Sequence, residues 1–325
     1  MLQQTRVEAA IPYYERFLER FPDPGALATA DLDDVLGLWS GLGYYGRARN
    51  LKAAAERVVD GFGGRVPDDV AALRTLPGVG RYTAGAVASI AFDRPAAIVD
   101  GNVARVLARL RGIREPIESA AARARLWAEA ETLAAGPHPG DLNQALMELG
   151  ATLCTPRAPR CPQCPVARLC AAHAAGDAEA LPLRAPKRKP RVVHAVAALV
   201  LRGGKALAVR RPARGLLGGL WELPGGEVAG AGAADAAALA RILRERAGLE
   251  LGAVGPAGRL EHGFTHRTLR LRLFRCEAKP GRVRLAGWDR HRWVTPRAFA
   301  RLPLGTLNQR ALAIAQRRRP ARRAR

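Results

Sequence analysis

Four cysteines inside seventeen residues, Cys154, Cys161, Cys164 and Cys170, constrain this chain more tightly than anything else in its sequence. Prolines at 156, 159, 162 and 165 fall among them and keep the segment in turns, which lets four thiolates converge on one centre. The N-terminus, MLQQTRVEAAIPYYERF, is charged early and has no apolar h-region, so no signal peptide is expected. Clustered cysteines in a chain without export signals read as metal ligands before disulfides. Zinc usually takes its cysteines as two short C-x2-C knuckles, and the C-x6-C-x2-C-x5-C spacing has one close pair. Four thiolates at unequal spacing in one loop suit a [4Fe-4S] cluster better. Cys276 stands alone in the strand-like run LRLFRC and reads as a small buried hydrophobe.

The rest of the chain has to fold around that loop. At 325 residues there is room for about two domains. Residues 1 to about 153 read as consecutive helices, with apolar positions at helical spacing in Val7-Ala10-Ile11-Tyr14 and Leu32-Val35-Leu36-Trp39. Further helical stretches fall near 46–60, 81–92, 101–112, 118–135 and 141–153. The Pro- and charge-rich stretch GDAEALPLRAPKRKPR, 176–191, marks an extended linker. Beyond it, VVHAVAALVLRGG and ALAVRR predict strands and a hairpin, with helices near 233–247 and 306–316. An α+β second domain over 192–316 follows, and 317–325 reads as a basic tail.

Charge narrows the partner. Lys plus Arg is 52 against 29 acids, a formal charge of +23, which attracts polyanions such as nucleic acid. Codon drift can explain Arg in place of Lys, but not the deficit of acids. The apolar run Ala195–Leu201 is far short of the ~20 residues that a membrane helix needs, so a soluble cytoplasmic protein is expected; with a nucleic-acid partner, the further expectation is a nucleoid-associated monomer.

Two short motifs lie in the helical part. Leu76-Pro77-Gly78-Val79-Gly80 can be an ordinary loop. It can equally be a hairpin whose free N–H groups, at the start of the next helix, hold a phosphate oxygen of DNA. Ile98-Val99-Asp100-Gly101-Asn102 places an acid at the mouth of a helix, as an N-cap or as a catalytic carboxylate. The hairpin, the Asp-Gly-Asn turn and the four cysteines, in this order, closely resemble the helix-hairpin-helix DNA glycosylases of the endonuclease III superfamily, over about residues 1–175.

Within that superfamily the chain looks like the MutY-type adenine DNA glycosylases, which remove adenine mispaired with 8-oxoguanine. Relatives that cleave the strand carry a Schiff-base lysine in a run resembling LPGVGRKTA. Here the run is LPGVGRYTA, and Tyr82 cannot form an imine, which implies a monofunctional enzyme. The resemblance of MLQQT and GLGYYGRARN implies that Gln4 and Tyr44 enter the base stack and that Leu2 and Gln144 line an adenine pocket. It also implies that Leu76, Gly78 and Gly80 touch DNA, and that Asp100 stabilises an oxocarbenium-like sugar with Tyr82 and Asn102 in support. The family's general acid is a glutamate just before the MLQQT motif. This chain begins at Met1 of that motif, so the expectation is a start placed too late, and poor excision from the chain as given. Glu8 is a poor substitute on a solvated helical face.

The second domain resembles a Nudix fold. Its helix, in GGEVAGAGAADAAALARILRERAGL, offers Glu245 but has Ile242 and Arg246 where metal-binding acids are expected, so pyrophosphate hydrolysis is disfavoured. The run His262-Gly263-Phe264-Thr265-His266 is similar to the MutY loop that recognises 8-oxoguanine, which implies that Phe264, Thr265 and His266 read the lesion in double-stranded DNA. A strand-cleaving glycosylase and a non-catalytic lesion-binding protein remain the alternatives.

Overall fold

Helix starts follow the acids and prolines of the sequence. The computed structural model describes every residue except 4, 6, 187–189, 214, 231–234, 265 and 318–325. In chain order come α1 (Val7–Arg20), α2 (Pro24–Thr29), α3 (Leu32–Trp39), α4 (Gly46–Phe62), α5 (Val70–Leu73), α6 (Arg81–Ala86), α7 (Gly101–Leu110), α8 (Ala120–Ala134), α9 (Pro139–Thr152) and α10 (Ala171–Ala174). Then follow β1 (Arg191–Arg202), β2 (Lys205–Arg210), β3 (Trp221–Glu222), β4 (Gly225–Val228), α11 (Asp235–Ala247), β5 (Leu251–Gly263), β6 (Arg267–Ala278), β7 (Arg290–Val294), α12 (Pro296–Phe299) and α13 (Thr306–Gln316). The side chains of Asp23, Asp31, Asp69 and Ser119 each accept a backbone N–H at the start of α2, α3, α5 and α8. Such caps satisfy donors that a helix start leaves orphaned. This is a multidomain chain with a helical part ahead of an α+β part, as expected.

By contact density the chain divides into two units, Met1–Lys52 with Lys189–Arg325, and Ala53–Arg188. The expected boundaries at 175 and 192 are cut differently, because the first helices pack with the C-terminal part. Ser40 Oγ and Tyr45 OH both donate to Leu304 O, at 3.1 and 2.9 Å, and Arg210 pairs with Asp33 at 3.2 Å and Asp289 at 2.9 Å. The linker expected over 176–191 is also shorter than its composition suggests. Leu181 is 2% exposed, Ile117 N–H donates to Leu183 O at 3.1 Å, and Ala185 N–H donates to Glu118 Oε2 at 3.0 Å. The expected basic tail lies outside the described residues from 318 on.

In the first of these units a mixed sheet runs β3-β2-β1-β6-β5, with β4 also paired to β1 and β7 to β2. β1 and β6 are parallel and the other pairs antiparallel. β1 is buried on both faces: Ala195, Ala197, Leu199 and Leu201 meet α13, while Val196, Ala198 and Val200 meet α11. Cys276 belongs to the second of these clusters at 3% exposed, and burial pushes its thiol up to about 12, as fits a structural hydrophobe. α1 forms as expected, but its buried residues are Ala10 and Phe17, with Phe17 edge-on to Phe21 and Trp39. Val7, Ile11, Tyr14 and Leu18 lie exposed on its other side.

In the unit Ala53–Arg188, α7 supplies the core with Val103, Leu107 and Ala108, packed on Ala122, Leu126 and Ala130 of α8. Burying a leucine side chain of this kind contributes roughly 1.5–3 kcal/mol. α9 comes so close to α7 that a Cβ on Gly150 would stand 2.7 Å from Asn102 Cβ, so glycine is required there.

Candidate active site

The unit Ala53–Arg188 carries a hairpin, a capped aspartate and the cysteine loop. In the hairpin, Val79 N–H donates to Leu76 O at 3.1 Å, with Pro77 and Gly78 as the corner residues. Gly78 has φ +77, the conformation that the third position of a type II turn demands. Leu76 is buried against Leu73, Ala84 and Ala88, which fixes the turn to the core. Gly80 precedes α6 without a side-chain cap, and a Cβ there would meet nothing within 4 Å. Backbone donors at such a helix start are open to an anion.

Asp100 caps the head of α7. Its Oδ1 accepts from Asn102 N–H at 2.9 Å and Val103 N–H at 2.7 Å, which caps the helix. Both bonds go to one oxygen, and among the described residues Oδ2 takes none. Tyr82, half-buried, donates to Met147 Sδ at 3.5 Å. Burial, and secondarily the charge of Asp100, raise its pKa, so it stays a phenol that can donate. Asn102 Oδ1 accepts from Arg105 Nη2 at 2.8 Å. Arg105, 6% exposed, goes on to Gly150 O at 2.6 Å and Cys154 O at 2.7 Å. One guanidinium therefore connects the Asp-Gly-Asn turn with the first cysteine.

α9 is held against the segment that leads into Asp100. Asn143, 1% exposed, donates to Ser89 Oγ and Ala96 O, both at 2.8 Å. Gln144 beside it is exposed and donates to Gly140 O at 3.3 Å. Ser89 sits in a π-turn, Val87–Ala91, within the helix expected over 81–92.

Cys154, Cys161, Cys164 and Cys170 line one cavity, closed by Leu153, Pro159 and Arg109. Short 3-10 turns at Cys161–Gln163 and Ala167–Leu169 bring them round, as the prolines require. Burial and then the neighbouring thiols push the Cys161 pKa up, so four thiolates there need a cation to offset them. Among the described residues no group of three or more His, Cys, Asp or Glu is close enough to hold one metal ion. Arg109, 1% exposed, also donates to Cys154 Sγ at 3.3 Å, a bond suited to an anionic sulfur.

The other unit holds the remaining candidates. Leu2 and Tyr44 are 60% and 54% exposed, and Tyr44 has φ +47. Gln4 and Thr265 lie outside the described residues. At the β5–β6 turn, Phe264 N–H donates to Arg267 O at 2.7 Å, and His262 meets the Phe264 ring edge-on at 4.8 Å. Burial, helped by the charge of Arg310, lowers the His262 pKa. His266 is exposed. On α11, Ile242 is buried in the core and Arg246 stacks 3.8 Å from the Trp288 ring, while Glu245 pairs with Arg241 at 3.7 Å on the surface. Two of the positions expected to bear acids thus hold the domain together.

Arg47, Arg105, Arg109 and Asn143 were not singled out from sequence. The arginine pair does leave a signal, since residues 105 and 109 interrupt an otherwise apolar helix at i, i+4 spacing.

Comparison with known proteins gives two family matches: HhH-GPD superfamily base excision DNA repair protein over residues 1–131, and NUDIX domain over 195–313. The adenine DNA glycosylase of Rattus norvegicus is 36% identical, covering 97% of this chain and 70% of that protein. Those of Mus musculus and Homo sapiens are 41% and 38% identical over 69% of this chain, which spans about half of their length (52% and 50%). A solved structure, "Structure of a thermostable thymine-DNA glycosylase", is 31% identical over 54% of this chain and 80% of that one, with a TM-score of 0.48.

Proposed function

This chain belongs to the adenine DNA glycosylases, DNA N-glycosylases of the HhH-GPD base excision repair superfamily, and on that premise we propose its reaction. It binds duplex DNA as a monomer, turns adenine mispaired with 8-oxoguanine or guanine out of the stack, and hydrolyses the N-glycosidic bond. The observation that carries the reading is Asp100. Both of its hydrogen bonds fall on Oδ1, so the second oxygen remains for the positive charge that develops on the sugar as the base leaves. Tyr82 and Asn102 orient the sugar and the carboxylate. The hairpin Leu76–Gly80 and the +23 charge hold the phosphates. Gln144 contacts the adenine, Leu2 faces the DNA, and Gln4 and Tyr44 fill the space that the flipped base leaves.

Cys154, Cys161, Cys164 and Cys170 hold a [4Fe-4S] cluster. When bound, it supplies the positive iron that four converging thiolates need, and it orders the loop that carries Arg157, Arg160 and Arg168.

Release of free adenine from duplexes with A opposite 8-oxoguanine and G tests the reading. Release of a pyrimidine from a damaged pair, with adenine untouched, contradicts it. Borohydride reduction during turnover is expected to trap no covalent DNA adduct, because residue 82 is a tyrosine. An adduct would make the enzyme strand-cleaving.

The 192–325 part is proposed to set lesion preference through Phe264, Thr265 and His266. Changing Thr265 and His266 together to Ala is expected to narrow the affinity gap between 8-oxoguanine:A and G:A duplexes by roughly 1–3 kcal/mol, the worth of a few buried hydrogen bonds. An unchanged gap in titrations of both duplexes removes this role.

A further inference from the structure

We propose that Arg47 is the positioning residue that locks Met1, Gln3 and Thr5 and the Leu42–Tyr44 loop into one rigid DNA wedge. The inference rests on the reading of Leu2 and Tyr44 as DNA-facing. Two large apolar side chains, 60% and 54% exposed, project from segments some forty residues apart in sequence. Between the segments lies one guanidinium. Its Nη1 donates to Met1 O at 2.8 Å and to Gln3 O, and its Nη2 donates to Thr5 Oγ1 at 3.1 Å and to Leu42 O and Gly43 O at 3.4 Å. The same group lies 5.4 Å from the centre of the buried Trp39 ring and 5.7 Å from that of Tyr44. Arg47 N–H also donates to Tyr44 O at 2.8 Å, across the residue with φ +47.

The chemistry asks for arginine. A planar fork reaches five oxygens on two segments while its face stays against two rings, and a lysine ammonium is a single point that cannot do both. The fork is spent on protein oxygens, and burial lowers the Arg47 pKa. It therefore acts through what it holds rather than as a phosphate contact. A wedge that must part stacked bases works only if it does not fold back, and misplacing such a group slows chemistry steeply.

The test uses the full chain and a duplex with 2-aminopurine next to the A:8-oxoguanine mispair, whose fluorescence rises as neighbouring bases unstack. Arg47→Lys and Arg47→Met are expected to lose most of that rise and to slow single-turnover adenine release about tenfold. Affinity for undamaged duplex should change less than about twofold, with an unchanged slope of log Kd against log salt. A full fluorescence rise in the Lys variant, which keeps the charge should the Met variant fail to fold, overturns the proposal. So does a salt slope reduced by about 0.9, which would make Arg47 a phosphate ligand. Tyr44→Ala in parallel separates the two readings. If it abolishes the rise while Arg47→Lys does not, only the role of Arg47 falls; if it leaves the rise intact, the wedge itself falls.

Discussion

Asp100→Asn is expected to slow adenine excision by about 10³-fold relative to its parent while the duplex is still bound within a few-fold. The observed cap and the proposed charge role of this side chain make the substitution informative. As the cap of α7 it accepts two N–H groups on Oδ1, at 2.9 and 2.7 Å. Asparagine caps a helix about as well as aspartate, so the fold around Val103 and Leu107 should survive. What disappears is the negative charge proposed to face the sugar. Asp100→Ala removes the cap as well and should cost a further ~1 kcal/mol of stability. Single-turnover release of adenine, thermal melting and duplex titration of both variants decide the matter. Should the Asn variant turn over like its parent, Asp100 is a cap and nothing more, and the carboxylate that meets the sugar lies elsewhere.

Helix and strand content was legible because it rests on local rules. The expected stretches near 101–112 and 306–316 correspond to α7 and α13, and the hairpin expected from VLRGG and ALAVRR is β1–β2, turned by Gly203 and Gly204 at φ +54 and +74. Which face a helix buries was less legible. Of the apolar spacing 7, 10, 11, 14 in α1, Ala10 alone is buried, together with Phe17, whose ring meets Phe21 and Trp39 edge-on. Periodicity records where apolar residues recur, and a small alanine between them can mark the buried side as well. The grouping of the first 52 residues with the sheet was invisible for another reason. It depends on pairs such as Tyr45 with Leu304, 259 positions apart, which no local pattern can announce.

The candidate site divides in the same way. Residue types with a rare chemistry at fixed spacing stood out: the cysteines, the Pro-Gly corner, the Asp-Gly-Asn turn. Buried polar groups that support them did not. Asn143 looks like any polar residue near a helix start, yet its amide joins Ser89 to Ala96, four residues ahead of Asp100. Arg105 and Arg109 leave only the weak signal of interrupting an apolar helix, and the charge surplus of the chain masks it. Their burial at 6% and 1% distinguishes them. A buried cation needs several acceptors, and here the acceptors are carbonyls of the cysteine loop, which lies more than forty residues downstream.

That dependence makes Arg109→Met the substitution with the largest expected effect on stability. Arg109 Nε donates to Leu181 O at 2.8 Å, Nη1 to Thr155 O at 2.8 Å, and Nη2 to Pro156 O at 3.3 Å. Methionine follows the same stem with similar volume, so little cavity is left. The buried carbonyl of Leu181 loses its charged donor, at about 1–3 kcal/mol, and the partly buried carbonyls of Thr155 and Pro156 lose theirs at a smaller cost. A total near 3–5 kcal/mol is a large share of the roughly 5–15 kcal/mol that holds a domain together. Melting of the unit Ala53–Arg188 should therefore move down by roughly 10 °C or more. The four cysteines should also retain less iron through purification, because Cys154 loses its guanidinium anchor to α7. Arg109→Lys, which keeps the charge but offers one nitrogen, should fall between the two. Calorimetry and iron content of the three proteins supply the check. A Met variant that melts within about 2 °C of the parent and keeps its full iron would show that the loop stands without Arg109, and that the carbonyls find other donors.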